Sequence, residues 1–172
     1  MTVDFTMQFP AGFLWGAATA AHQVEGGNTN NTWHAWEQAG GRVFQNQTHG
    51  LACDWWGGRY LEDFDRAAGL HHNAHRFSVE WSRIEPEEGR FDDRALAVYA
   101  DMIAALRARG MEPMVTLHHF TDPLWLAEQG GWTNRQTVDR FARFVRVVVE
   151  ALGADVRLWC TINEPMVYAS QG

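Results

Sequence analysis

Asn163 and Glu164 stand side by side just beyond an apolar run, Val156 to Cys160, and Pro165 follows them at once. A run of that kind reads as a buried strand, and a proline, having no N–H to donate, ends its ladder. A carboxyl group at the mouth of a strand is placed to give or take a proton, and the neighbouring amide can hold a hydroxyl. Burial at the strand end beside a second carboxylate would raise the Glu164 pKa and suit it to act as a proton donor. Taken alone, a strand-end glutamate is more often a salt-bridge or capping residue. The surrounding pattern has to decide.

Three apolar runs precede this one. Phe13 to Ala21 leads into Gln23, Asn73 to Val79 carries Arg76 and runs into Glu80, and Met111 to Leu117 ends in His118-His119-Phe120. Helical periodicity fills the gaps. Asp54 reads as the N-cap of a helix through Tyr60, Phe64 and Ala67 or Ala68, ending at Gly69. Asp92 or Asp93 caps a second helix, with Leu96, Tyr99, Ile103 and Leu106 inward and Gly110 at C′. Asn134 caps a third, with Val138, Phe141, Val145, Val148 and Leu152 inward and Gly153 closing it. Gly27 to Gly50 is a long stretch rich in Gly, Asn, Trp and Gln, and connections of that length are usually functional or partly ordered.

Strand then helix, repeated, predicts parallel pairing, and strands apolar along their whole length predict a sheet covered on both faces. Parallel order gathers Gln23, Arg76, His119, Asn163 and Glu164 on one face, the functional face of a barrel. A complete (β/α)8 barrel takes roughly 250 residues. These 172 supply about four strands, and no helix is expected after the fourth. The expected fold is therefore α/β, with residues 1–172 forming the N-terminal half of a single TIM-barrel domain.

Cleaving a glycosidic bond needs a proton for the leaving oxygen and, in most such enzymes, two carboxyl groups; in retaining enzymes these lie roughly 5–5.5 Å apart. Glu164 suits the acid/base role, and Asn163 could donate to a sugar hydroxyl. Gln23 offers a donor and an acceptor to a vicinal diol, and Arg76 could orient a carboxylate. Each has a plainer reading: Gln23 as structural, Arg76 paired with Glu80. His118 and His119 face opposite ways on a strand, so at most one reaches the site. His71, His72 and His75 raise a metal site, but no His-x-His or His-Glu-x-x-His spacing and no cysteine pair supports one. No nucleotide motif is present, and no cofactor is expected.

Composition narrows the partners. With 14 basic and 21 acidic residues the net charge is −7, which argues against nucleic acid and anionic membranes. Nine Trp and ten Phe suit either packing or the apolar faces of sugar rings. Met1 to Pro10 lacks the basic region of a signal peptide, and no apolar stretch could span a bilayer. Cys53 and Cys160 read as reduced thiols, and a cytoplasmic location is expected.

Five motifs in order resemble the N-terminal part of the family 1 glycoside hydrolases, the β-glucosidase family, along almost the whole chain. They are Phe9-Pro10-x-Gly12-Phe13-Leu14-Trp15-Gly16-Ala17-Ala18-Thr19, then Gln23-Val24-Glu25-Gly26, then Arg76-Phe77-Ser78-Val79-Glu80-Trp81-Ser82-Arg83-Ile84, then Thr116-Leu117-His118-His119-Phe120 and Thr161-Ile162-Asn163-Glu164-Pro165. The resemblance implies a TIM barrel and cofactor-free, retaining hydrolysis of terminal β-glycosidic bonds. Glu164 matches the acid/base, Asn163 the amide on the sugar 2-hydroxyl, Gln23 and His119 binders of ring hydroxyls, and Arg76 the arginine that contacts the nucleophile. Phe120 matches a position beside the sugar; Glu80 receives no role. The family nucleophile lies in a Glu-Asn-Gly strand end, and no such tripeptide occurs here. The chain alone is therefore expected to lack the covalent step, with Glu164 titrating nearer an ordinary glutamate. A complementary C-terminal half-barrel, or self-association of a sugar-binding half-barrel, is the expected partner arrangement.

Overall fold

The computed structural model describes residues 8–171, so most of the Met1–Pro10 opening lies outside the described residues. In chain order the elements are β1 (Gly16–Ala18), α1 (Ala21–Val24), α2 (Thr32–Gln38), α3 (Tyr60–Gly69), β2 (Ala74–Ser78), α4 (Trp81–Ile84), α5 (Asp93–Ala108), β3 (Glu112–His118), α6 (Leu124–Glu128), α7 (Thr137–Leu152), β4 (Leu158–Ile162) and α8 (Pro165–Gln171). The strands form one parallel sheet in sequence order, β1-β2-β3-β4. No described helix is long and apolar enough to cross a membrane.

The core lies between β2 and β3 and the helices α3, α5 and α7. Phe77, Val115 and Leu117 meet Phe64, Tyr99, Ile103, Leu106, Phe144 and Val148, all buried. The expected stripe of α5 is inward throughout. Asp92 caps that helix by accepting the Arg94 N–H at 2.8 Å. At the other end Gly110 takes φ +73, which lets the Met111 N–H reach back to the Leu106 carbonyl. Gly16 has a packing role: a Cβ there would stand 2.2 Å from the Ala74 carbonyl oxygen, so only glycine lets β1 pair with β2.

Several expectations change. The first strand is three residues long, not Phe13 to Ala21. Phe13 and Trp15 instead cluster with Phe9, ring to ring at 4.6–4.9 Å, and Ala21 turns into α1 by donating its N–H to Ser78 Oγ. Asp54 does not cap α3; it adopts φ +55, and its carbonyl takes the N–H groups of Gly57 and Arg59. Asn134 likewise serves a turn, accepting from the Gln136 N–H ahead of α7. The buried face of α7 is Thr137, Arg140, Phe144, Val148 and Leu152, while Val138 is 47% exposed. Packing Phe144 flat on Trp81 at 4.8 Å sets that rotation. β4 continues to Ile162, opposite His118, and α8 does follow it, with Pro165 at the first helical position where a missing N–H costs nothing. Only β2 and β3 are well covered: β1 is exposed throughout, and β4 has an exposed residue and no fully buried one.

A buried polar knot ties the strand ends to α5. The Tyr99 hydroxyl donates to Glu25 Oε1 at 2.7 Å and accepts the Glu80 N–H at 2.9 Å, while Arg83 Nε donates to Glu25 Oε2 at 2.7 Å. Tyr99→Phe removes one oxygen and strands two buried partners, so it is expected to cost about 1–3 kcal/mol. Urea denaturation reads this as a lower midpoint at constant slope; an unchanged midpoint would mean the knot carries no stability.

Candidate active site

Parallel pairing brings the expected polar residues to one end of the sheet. Arg76 in the middle of β2 reaches across β3, donating from Nη2 to Asn163 Oδ1 at 3.0 Å and from Nη1 toward Cys160 Sγ at 3.9 Å. Asn163 is buried, its N–H donates to the His118 carbonyl, and its side-chain NH2 has no partner among the described residues. Arg76 forms no pair with Glu80. That carboxylate instead accepts from Ser82 Oγ and Thr121 Oγ1, both at 2.8 Å.

Glu164 follows Asn163 at φ +44, a left-handed conformation that costs a non-glycine residue roughly 1–2 kcal/mol. The turn carries its side chain out of the ladder at the edge strand, so Glu164 is exposed rather than buried as expected. Helix α8 holds this turn through Tyr168. The Tyr168 N–H donates to the Glu164 carbonyl, and the Tyr168 hydroxyl donates to Asp122, which also receives His118 Nε2 and Trp132 Nε1.

The two histidines divide as their alternation requires. His118 is packed edge-on between Trp132 and Tyr168. His119 is half-buried beside Phe120, with its ring 5.1 Å from the phenyl centroid. Burial, then the Arg76 guanidinium, then His118 push the His119 pKa down to about 4, which leaves a neutral ring able to donate on one side and accept on the other.

Phe120 stacks on Trp33 of α2 at 5.7 Å and 19°. Both line a cleft of about 750 Å³ together with Gln23, Trp36 and Tyr168. Gln23 is exposed; its Oε1 accepts the Ala20 N–H at 3.1 Å, so one acceptor position is already used and the NH2 remains available. The structure thus joins Arg76 to Asn163, sets His119 near Arg76, and places Gln23 and Phe120 on a shared wall. Glu164 does not line that cleft.

Sequence reasoning missed Trp33 and a cluster in the wall of the cleft. His22, Glu37 and His49 put one ligating atom each within 4.8 Å of one another, the group among the described residues with a metal-like donor set. No local spacing could reveal residues drawn from three separate segments. Of the histidines that raised a metal site in the sequence, His75 packs against Trp55 and Phe64 in the interior.

The profile of Glycosyl hydrolase family 1 matches residues 5–172. Beta-glucosidase A of Thermotoga maritima is 40% identical over 171 residues, covering 96% of this chain and 38% of that protein. The Thermotoga maritima β-glucosidase solved with methoxycarbonyl-substituted glucoimidazole superposes with a TM-score of 0.92 at 40% identity, over 95% of this chain and 39% of that one. A β-glycosidase from Pyrococcus horikoshii gives a TM-score of 0.85 at 42% identity, over 93% and 37%. The chain therefore spans under two fifths of the length of these relatives, and its four parallel strands match part of their barrel.

His119 is expected to stay uncharged down to about pH 4, with Arg76→Met moving its midpoint up toward the ordinary 6.5. Because the folded value lies below the unfolded one, its stabilising contribution is present above pH 6.5 and is lost as pH falls from there toward 4. An NMR titration of the ring protons reads both; a wild-type midpoint near 6.5 would remove the argument for a desolvated neutral ring.

Proposed function

The chain belongs to glycosyl hydrolase family 1, and from that footing we propose that it carries the acid/base side of a retaining β-glycosidase site. Glu164 protonates the oxygen of the departing group. Asn163 holds the hydroxyl next to the reacting carbon, His119 and Gln23 hold other ring hydroxyls, and Phe120 flanks the sugar. Arg76 faces the position of a nucleophilic carboxylate supplied from outside these residues, since no Glu-Asn-Gly occurs here. The observation that carries this reading is the Arg76–Asn163 hydrogen bond, which fixes an amide beside Glu164 and a guanidinium within one site.

The order of events is set by the chemistry. A carboxylate attacks the anomeric carbon as Glu164 gives up its proton, and the glycosyl ester is then hydrolysed by a water that Glu164 deprotonates. An exposed Glu164 suits a site that closes only when the rest of the barrel covers it. Edge strands β1 and β4, with Phe13 and Trp15 exposed beside the first, favour a complementary C-terminal half-barrel as the covering partner. The free thiols of Cys53 and Cys160 favour the cytoplasm. A second reading, a non-catalytic half-barrel that binds sugar or pairs with itself, draws on the cleft of Gln23, Trp33 and Phe120 lying apart from Glu164.

Residues 1–172 are expected to give no turnover of an aryl β-glucoside, and mixing with a C-terminal half-barrel is expected to restore it. In that assembly Glu164→Gln should lower kcat by roughly 10²–10⁴-fold for a poor leaving group and far less for an activated one. Turnover by the chain alone would sink the divided-site reading, and equal losses for both leaving groups would sink Glu164 as the acid.

A further inference from the structure

One carboxylate gathers three segments in the wall of the cleft. Glu37 on α2 accepts His22 Nε2 on Oε1 at 2.9 Å; on Oε2 it accepts His49 Nδ1 at 2.8 Å and the His49 backbone N–H at 3.1 Å. All three side chains are nearly enclosed, the most open of them 12% exposed. The far side of each ring settles where its proton sits. His49 Nε2 faces the backbone N–H of Asn28 at 3.2 Å, a group that can only donate, so Nε2 accepts and Nδ1 carries the proton. His22 Nδ1 faces the amide nitrogen of Asn31 at 3.4 Å. That amide cannot flip, because its oxygen accepts the His34 N–H at 2.9 Å and its nitrogen donates to the Asn28 carbonyl at 3.1 Å. His22 therefore accepts at Nδ1 and donates from Nε2. Burial pushes the Glu37 carboxyl up, but the donors from His49 and His22 prevail and hold it at about 2.

The same geometry disfavours a metal ion. Coordination would need lone pairs on the two nitrogens that face Glu37, moving each proton to the far nitrogen. There it would meet the Asn28 N–H and the Asn31 NH2, two buried donor–donor contacts. The position in the fold assigns the set another task. His22 adjoins Gln23 on α1, Glu37 shares α2 with Trp33, and His49 lies beyond α2, near the end of the Gly27–Gly50 stretch.

We propose that His22, Glu37 and His49 form a tautomer-locked bridge that holds the Gly27–Gly50 connection as a fixed wall of the cleft and so positions Gln23 and Trp33. These are positioning residues, and that part of the proposal rests on the sugar-site reading above. The test uses the 172-residue chain. Imidazole ¹⁵N spectra are expected to show His22 protonated on Nε2 and His49 on Nδ1, both unmoved by equimolar Zn²⁺. The opposite tautomer in either ring, or Zn²⁺ displacing both signals, overturns the bridge. Glu37→Gln keeps the shape but replaces one acceptor by a donor, stranding a histidine N–H. It is expected to speed amide exchange across residues 31–50 and to weaken binding of a glucoimidazole roughly tenfold. His22→Gln places an amide N–H where Nε2 stood and is expected to weaken binding less than Glu37→Gln does. Unchanged exchange and binding in Glu37→Gln overturn the positioning role. If the wild type binds no glucoimidazole even with a C-terminal half-barrel added, the sugar-site reading fails instead, and tautomers and exchange still decide the bridge.

Discussion

Parallel pairing of β2, β3 and β4 is the constraint on which the site depends. His75 to Ser78 run alongside Pro113 to Thr116, Met114 to Thr116 run alongside Leu158 to Cys160, and β3 continues past the end of β2 to set His118 opposite Ile162. Asn163, one place past the end of β4, then lies within reach of a long side chain from β2. Arg76 and Asn163 are 87 positions apart in the chain, yet they share a 3.0 Å hydrogen bond because the long Arg76 side chain reaches across β3 to the rim where Asn163 sits. A one-residue slip would turn every side chain of a strand to its opposite face and separate them.

Around that rim the interior is unusually rich in buried carboxylates: Glu25, Glu80 and Glu85 are all almost fully enclosed. Burying a charge is costly unless it is paired and hydrogen-bonded. Each of the three is served. Glu25 has Arg83 and Tyr99, Glu80 has Ser82 and Thr121, and Glu85 has Trp81 Nε1, the Gly89 N–H and Arg143. For Glu25, burial dominates even so and raises its pKa to about 7 against the pull of Arg83. These knots join loops to helices where no ladder is available, so the connecting segments beneath the site are as determined as the strands.

Edge strands give the other side of the picture. Interior β2 and β3 bury most of their length, whereas β1 and β4 leave residues open to solvent. Glu164 sits just past one of these edges and is exposed for that reason. A carboxyl group proposed as a general acid would gain from a closed, poorly solvated site, and the relatives are more than twice the length of this chain.

The sequence determined what local chemistry and period can determine: four strands in parallel order, the inward stripe of α5, its cap at Asp92 or Asp93 (the structure selects Asp92) and its Gly110 stop, and the polar residues at the strand ends. It misread Asp54 and Asn134 as helix caps: Asp54 closes a turn through its backbone carbonyl at positive φ, and Asn134 makes a cap-like side-chain hydrogen bond in a turn ahead of the helix. It misjudged the face of α7 by about one residue, because packing of Phe144 on Trp81, and not periodicity, sets the rotation. Tertiary structure alone decided that Trp33 stacks on Phe120, that Glu164 is exposed, and that His22, Glu37 and His49 meet. Those contacts join segments whose separation in sequence carries no periodic signal, so only the folded chain brings them within hydrogen-bonding distance.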